Sequence, residues 1–343
     1  MPITIKDVAQ KADVSIATVS LVIHNSGRIS NDTRKRVQKV IKYLNYHPSR
    51  SASGLASRKT GNIGFILTED HFLKTESFYT RVFLGAEFEA RMNDYYVLLA
   101  TVSSEFKEND PLPRFVLERS TDGVIIAGKV PKSLLKELEA FNLPLVFVDY
   151  TPPFGDHPNV LSDNVRGGFI ATQHLIELGH RKIAFIGGEI SHPSIAERLQ
   201  GYRMAMEKAN LNIDNSLIVT NDEYLSRQNG YKCAKKIFNG EARATSVFAC
   251  NDSTAIGVMQ YMKDKKYKIP DNVSIVGCDD AEADLLLDPP LTTIRIPKID
   301  MGVEAVLLVL SLMNGKKKSA KKIIVPVELV VRKSTKKIHG NTK

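Results

Sequence analysis

The chain has 343 residues, about twice the roughly 150 of an average domain, so two or three domains are expected. Hydrophobic residues make up 43% and charged residues 25%, and no apolar run approaches the roughly 20 residues that cross a bilayer, which argues against a membrane protein. The net charge of +9 is uneven: residues 1–60 carry +8, residues 61–314 carry −8 and residues 315–343 carry +9.

Met1-Pro2-Ile3-Thr4 runs directly into an amphipathic pattern, without the basic and apolar stretches of an export leader, so a cytoplasmic protein is expected. Apolar residues then recur at helical spacing in three groups: Ile5, Val8, Ala9 and Ala12; Val14, Val19, Val22 and Ile23; Val37, Val40, Ile41 and Leu44. Only Asp13-Val14 separates the first two helices, with Ser15 placed as an N-cap, and Ser30 with Asp32 begins the third in the same way. So tight a turn forces a steep crossing, as in a helix-turn-helix whose second helix lays its outer face in the DNA major groove. That face is Ile16, Ala17, Ser20, Leu21 and His24, with hydroxyls at Ser15, Thr18 and Ser20 near the helix N-terminus, where phosphate oxygens are held. On pattern and charge alone, a structural three-helix bundle with a solvated basic surface stays open beside this reading.

Thr4-Ile5-Lys6-Asp7-Val8-Ala9, Ala12, Val14-Ser15-Ile16-Ala17-Thr18-Val19-Ser20, Ser30-Asn31-Asp32-Thr33-Arg34 and Leu44-Asn45-Tyr46-His47-Pro48 together resemble the head of the LacI/GalR repressor family, and the resemblance runs through nearly the whole chain. It implies DNA contacts from Thr4, Ser30 and Thr33 besides the second-helix residues. It also implies a hinge helix at 49–60, ordered on the operator and paired in a dimer. There Ser49, Ala52 and Ser53 meet DNA and Leu55 wedges into the minor groove. The segment fits that role physically, since a Ser-rich run containing Gly54 is a poor and short helix former that needs contacts to fold. Two departures stand out. Asp13 replaces the usual turn glycine, and Asp tolerates a left-handed backbone. Leu21 stands where the family commonly has an arginine, so readout should lean on thymine methyls and DNA shape rather than guanine at that position.

Beyond residue 60, short apolar runs at 62–67, 96–101, 123–127 and 145–148 alternate with helical stretches such as 77–92 and 131–141, as a parallel sheet requires. The theme restarts with strands at 182–187, 217–220, 246–250 and 274–278 and helices near 164–179, 194–209, 226–239 and 252–265. The expected fold is therefore α/β, with an all-α helix-turn-helix head on a two-lobed core of parallel sheets, which resembles the periplasmic-binding-protein-like core of the same family. By that analogy the domains are a head at 1–48, the hinge at 49–60, an N-terminal lobe at 61–161 with 293–320, and a C-terminal lobe at 162–292 with 321–336. The lysines at 316–318, 321 and 322 read as a solvated loop before the strand-like 323–325.

Ligands collect between such lobes, at the carboxyl edges of the sheets. Phe78, Tyr79, Asp163, Arg198, Asp252 and Asp279 lie where that cleft should be. The resemblance makes Arg198 and Asp279 holders of ligand hydroxyls or a carboxylate, Asp163 and Asp252 further polar contacts, and Phe78 and Tyr79 a flanking aromatic pair. For Asp252, helix capping is an equal alternative. The loop Thr68–Ser77 looks longer than usual and could reshape the mouth, and Leu225 argues against a stacked nucleobase, so a sugar or sugar derivative is the expected effector. Three dispersed cysteines and eight histidines without ligand spacing give no metal or cofactor site, and no nucleophile elbow suggests an enzyme. The expected partners are double-stranded operator DNA, a small effector and a second copy of the chain, with no membrane. A protein coeffector, or a transport-type solute-binding protein, are the alternatives.

Overall fold

Each helix of the head begins on a local hydrogen bond. In the structure, a computed structural model that describes residues 3–23, 26–46, 59–74, 78–153, 155–221, 225–240, 244–315 and 322–338, Asp7 accepts from both the backbone and the hydroxyl of Thr4 at 2.7 Å, starting α1 (Ile5–Ala12). The Ser15 hydroxyl accepts from the Thr18 N–H at 3.1 Å at the start of α2 (Ile16–Ile23), and Ser30 caps α3 (Asn31–Tyr43) through the Thr33 N–H. Asp13 ends α1 with φ at 50°, so the turn keeps its left-handed geometry without glycine. Val8, Ala9, Ala12, Val19, Val22, Val37 and Tyr46 form a small core of their own. The head, residues 1–61, and the body, residues 62–343, are separate compact units. The hinge stretch 49–60, including Ser49, Ala52, Ser53 and Leu55, falls almost wholly outside the described residues, as does His24.

The body is built on two six-stranded sheets. The first, in the order β11-β5-β4-β3-β1-β2, takes β1 (Asn62–Thr68), β2 (Tyr96–Val102), β3 (Gly123–Ala127), β4 (Leu145–Val148), β5 (Asn159–Ser162) and β11 (Lys322–Val325), all parallel. The second, in the order β12-β10-β9-β8-β6-β7, takes β6 (Ile183–Ile186), β7 (Ile218–Val219), β8 (Ser246–Ala249), β9 (Ser274–Asp279), β10 (Thr292–Arg295) and β12 (Glu328–Val330). Among the described residues, only the edge strand β12 departs from the expected parallel sheets, running antiparallel to β10. Central strands are buried along nearly their whole length, as helices on both faces demand. Phe65, Phe147, Phe185 and Phe248 are wholly buried there, each stabilising the fold by about 2 kcal/mol through burial.

Helices pack in pairs on these sheets: α5 (Phe78–Met92) with α12 (Lys298–Met313), α8 (Asn164–Glu177) with α9 (Pro193–Lys208), and α10 (Arg227–Phe238) with α11 (Asp252–Asp264). Each pair crosses at reciprocal glycines. A Cβ on Gly201 would sit 2.0 Å from the Val165 carbonyl oxygen and one on Gly168 2.1 Å from that of Arg198, and Gly85 with Gly302 and Gly230 with Gly257 repeat the device.

The crossings between lobes shift from the sequence expectation. The chain crosses between lobes after Ser162, after Arg295 and after Val325, so Thr293–Arg295 belong to the C-terminal sheet and 322–325 to the N-terminal one, each strand staying with the sheet it completes. The stretch expected to be a loop after β1 contains a helix, α4 (Glu69–Lys74), whose first turn is acidic and whose His71 N–H meets the Thr68 hydroxyl at 3.4 Å, both N-terminal helix signals. Among the described residues, no helix is long and apolar enough to cross a membrane.

Candidate functional site

In the head, α2 carries the face expected to contact DNA. On α2, Val19 and Val22 point into the core, which turns Ile16, Ala17 and Leu21 outward and leaves Thr18 and Ser20 half-buried. Ile16 is 44% and Leu21 37% exposed, apolar side chains that face solvent because the core side of the helix is already filled. The expected phosphate-binding hydroxyls also hold the helix ends: Ser15 Oγ and Thr18 Oγ1 share a hydrogen bond at 2.9 Å, and Ser30 Oγ donates to Thr33 Oγ1 at 2.8 Å. These side chains are thus pre-set at the N-termini of α2 and α3, where backbone N–H groups point outward. Leu21 closes over Gly27, where a Cβ would lie 3.2 Å from Leu21 Cδ2.

The body offers a cavity of about 370 Å³ between its lobes, within the range of small-molecule sites, which is about 300–1,000 Å³. Strand ends of both sheets supply its polar groups, as an open parallel sheet predicts. From the N-terminal lobe come Thr68, His71, Phe78, Tyr79, Lys129 and Asp149; from the C-terminal lobe Glu189, His192, Ser194, Arg198, Asn251, Asp252 and Asp279. Lys298, at the start of α12, donates to the carbonyl of Asp279 and lies 5.8 Å from the Phe78 ring centre.

Arg198 is buried in the cavity wall. Its Nε donates to Asn164 Oδ1 at 3.0 Å and its Nη1 to the Cys250 carbonyl at 2.6 Å, which fixes the plane of the guanidinium. Asp279 and Asp280 both have positive φ, 133° and 55°, a strained turn for residues other than glycine. Arg295 and Arg332 hold the Asp280 carboxylate and keep that turn in place. Burial raises the Asp279 carboxyl to about 7, with Arg198 opposing the rise. Burial likewise raises Asp149, whose Oδ2 accepts from the Tyr79 hydroxyl at 3.0 Å and whose Oδ1 has no partner. His71 and His192 face this region from opposite lobes, each lowered to about 4, chiefly by burial. Across the mouth, Lys129 Nζ reaches Glu189 Oε1 at 2.8 Å and Ser191 Oγ at 3.3 Å, and Arg81 pairs with Glu282.

Of the six expected pocket residues, Phe78, Tyr79, Arg198, Asp252 and Asp279 line the cavity and Asp163 does not. Asp163 is the N-cap of α8, accepting from the Arg166 N–H at 3.0 Å. Its neighbour Asn164 takes part instead, by holding Arg198. Asp252 touches the cavity, but its oxygens are engaged by Thr293 Oγ1 at 2.5 Å and the Ala281 N–H at 3.0 Å, so it ties the loop after β9 to β10; Asn251 caps α11. Lys129, Asp149 and Glu189 escaped sequence reasoning although each lies within three residues of a strand's carboxyl end, a signal that was there to be used. His71 lies in α4 and His192 just before α9, and only the folded chain brings them together.

Residues 4–49 match the description "Bacterial regulatory proteins, lacI family", and residues 172–335 match "Periplasmic binding protein-like domain". The HTH-type transcriptional repressor PurR of Histophilus somni (strain 2336) is 35% identical over 335 residues, covering 97% of this chain and 99% of that protein. Among solved structures, the complex of the transcriptional regulator CelR with cellobiose shares 28% identity at a TM-score of 0.73, covering 97% of this chain and 99% of that one. The lac repressor dimer bound to operator and the anti-inducer ONPF shares 25% identity at a TM-score of 0.79, covering 98% and 100%.

Proposed function

The chain belongs to the lacI family of bacterial regulatory proteins and is a DNA-binding transcriptional regulator, and from that premise we propose a cytoplasmic homodimeric repressor of a near-palindromic operator, controlled by a sugar or sugar derivative in the interlobe cavity. The observation that carries the effector half is that cavity, lined by both lobes, with a buried, fixed Arg198 and Asp279 in its wall. A ligand touching both lobes favours one lobe arrangement over another, and by reciprocity it changes DNA affinity by the same factor that DNA changes its own. The cellobiose bound by the related regulator supports the sugar class. In the head, the exposed Ile16, Ala17 and Leu21 support readout of thymine methyls. Two protomers with one head each match a site of two half-sites about one helical turn or a multiple of it apart.

Selection of bound sequences from a randomised duplex library with the purified chain tests the DNA half. Enrichment of a palindrome with a flexible central pyrimidine–purine step is expected, and salt-sensitive binding without enrichment refutes it. Sugars screened for release of that duplex then test the effector half.

A further inference from the structure

The two edges of the C-terminal sheet carry opposite charge. In a parallel sheet, the segments that leave the strands cross one edge and the segments that leave the helices cross the other. The segments leaving the strands of this lobe, 187–192, 220–221, 225–226, 250–251 and 279–291, lie on the cavity side and hold six acidic residues and no Lys or Arg. The far edge, made by 178–182, 209–217, 239–240, 265–273 and the stretch 333–338, holds eight Lys or Arg and two Asp. Helix macrodipoles favour that polarity in any such lobe. The N-terminal lobe has the same alternation without it: its matching segments, 93–95, 118–122 and 140–144, hold one Arg and three acidic residues. The basic edge therefore belongs to this surface and is not imposed by the fold.

The edge is also a fixed frame. Both ring nitrogens of the buried His180 meet hydroxyls, Thr245 Oγ1 and Ser274 Oγ, at 2.9 Å. The Lys336 N–H reaches the same Ser274 hydroxyl at 3.1 Å and the Ile338 N–H reaches the Leu178 carbonyl at 2.9 Å, which ties 333–338 beside Arg181 and Lys182. Lys336 Nζ joins that stretch to 265–273 through Asp271 at 2.6 Å. All eight cations are exposed, and among the described residues only Lys336 has a carboxylate within ion-pair distance. Like charges gathered in this way repel one another and attract a polyanion.

We propose that the far edge of the C-terminal lobe is a second DNA-binding surface, which holds the phosphates of a duplex without reading its bases, so that one protein molecule joins two DNA segments. It uses no residue of the head or of the cavity. The chemistry of the edge selects this partner. Of the exposed large hydrophobic residues only Tyr267 belongs to it, whereas a protein partner is held by buried apolar or aromatic anchors and a membrane surface by an inserted apolar face. Unpaired lysines on a fixed frame suit a row of phosphates, and duplex DNA is the polyanion that a DNA-binding regulator meets.

The experiment is a sandwich with the full chain. Protein is captured on a biotinylated duplex fixed to beads, and a fluorescent duplex of unrelated sequence is then offered at rising salt. The expected result is retention of the second duplex at about 50 mM salt, with affinity falling about threefold per phosphate contact by about 200 mM. With Lys265→Gln, Lys268→Gln and Lys337→Gln combined, the protein is still captured by the first duplex and keeps its unfolding midpoint, but the second duplex is lost. Arginine at the same three positions keeps it. A wild-type protein that holds no second duplex overturns the proposal. So does a glutamine variant that holds it as well as wild type, which would assign the bridging to the heads. Equal competition by poly-L-glutamate, or equal capture by phosphatidylglycerol vesicles, also overturns it, since the occupant would then be an acidic peptide or a lipid surface.

Discussion

Replacing His192 by glutamine isolates one buried imidazole, because glutamine keeps a polar side chain that can bond Ser194 but cannot gain a proton near neutral pH. His192 Nδ1 lies 2.7 Å from the Ser194 hydroxyl, and burial, with Arg198 and Lys129, lowers the ring from 6.5 to about 4. A folded pKa below the unfolded one means that the unfolded chain binds more protons in acid, so this group's contribution is intact above about pH 6.5 and is lost as the pH falls toward 4. At about pH 5.5 the loss is on the order of 1 kcal/mol. Asp279 works the other way: its folded carboxyl, raised to about 7, takes up a proton on acidification and gains stability over the same window. The wild-type midpoint alone therefore mixes two opposing slopes, and the difference between variant and wild type is the informative quantity. Measured by thermal unfolding of the unliganded protein, His192→Gln gains relative to wild type by about 2–4 °C between about pH 7.5 and pH 5.5, since about 1 kcal/mol corresponds to that shift in a body of this size. Parallel curves for the two proteins across the window would refute the assignment of a buried neutral ring.

Gly201→Ala lowers the unfolding midpoint despite alanine's better helix propensity, because the new Cβ meets the Val165 carbonyl oxygen at 2.0 Å and the Phe169 nitrogen at 2.6 Å; overpacking of about 1–3 kcal/mol exceeds a propensity gain of about 1 kcal/mol, and calorimetry reads the sum. Asn164→Ala removes the acceptor of Arg198 Nε and weakens effector binding, by about tenfold if the loss is about 1.4 kcal/mol, as titration would show. Leu21→Arg adds a guanine preference at the facing operator position, visible when sequences selected by variant and wild type are compared.

Strands with continuous apolar runs, such as 62–67 and 123–127, were legible because parallel strands covered on both faces leave no alternation to confuse the reading. Asn159–Ser162 and Thr292–Arg295 were not, being four-residue strands with polar ends whose burial comes from neighbours distant in sequence. The same physics divides the site. Asp279 was legible as a carboxylate at the end of a strand, and Arg198 chiefly through the family resemblance. Asp163 was misplaced because capping a helix and lining a cleft ask for the same residue at the same strand-to-helix junction; the side chain turned to the Arg166 N–H, and the adjacent Asn164 turned to Arg198. The partnership of His71 with His192 depends on how the two lobes meet, which no local pattern encodes.

Polar pairs bridge the lobes across the mouth of the cavity, beside an apolar cluster that includes residues of both sheets. Lys129 with Glu189 and Arg81 with Glu282 bridge the lobes at partly exposed positions, and exposed pairs of this kind contribute only about 0–1 kcal/mol each. Lys298 on the carbonyl of Asp279 adds a third link beside the crossing that follows β10. A ligand held by both lobes adds to these links, and a binding difference of about 3 kcal/mol between two lobe arrangements shifts their ratio by more than a hundredfold. Strengthening the mouth should therefore blunt the response. Lys129→Arg, whose fork can engage Glu189 through two nitrogens, is expected to narrow the difference in operator affinity with and without effector, and an unchanged or larger difference would show that the mouth does not take part in the switch.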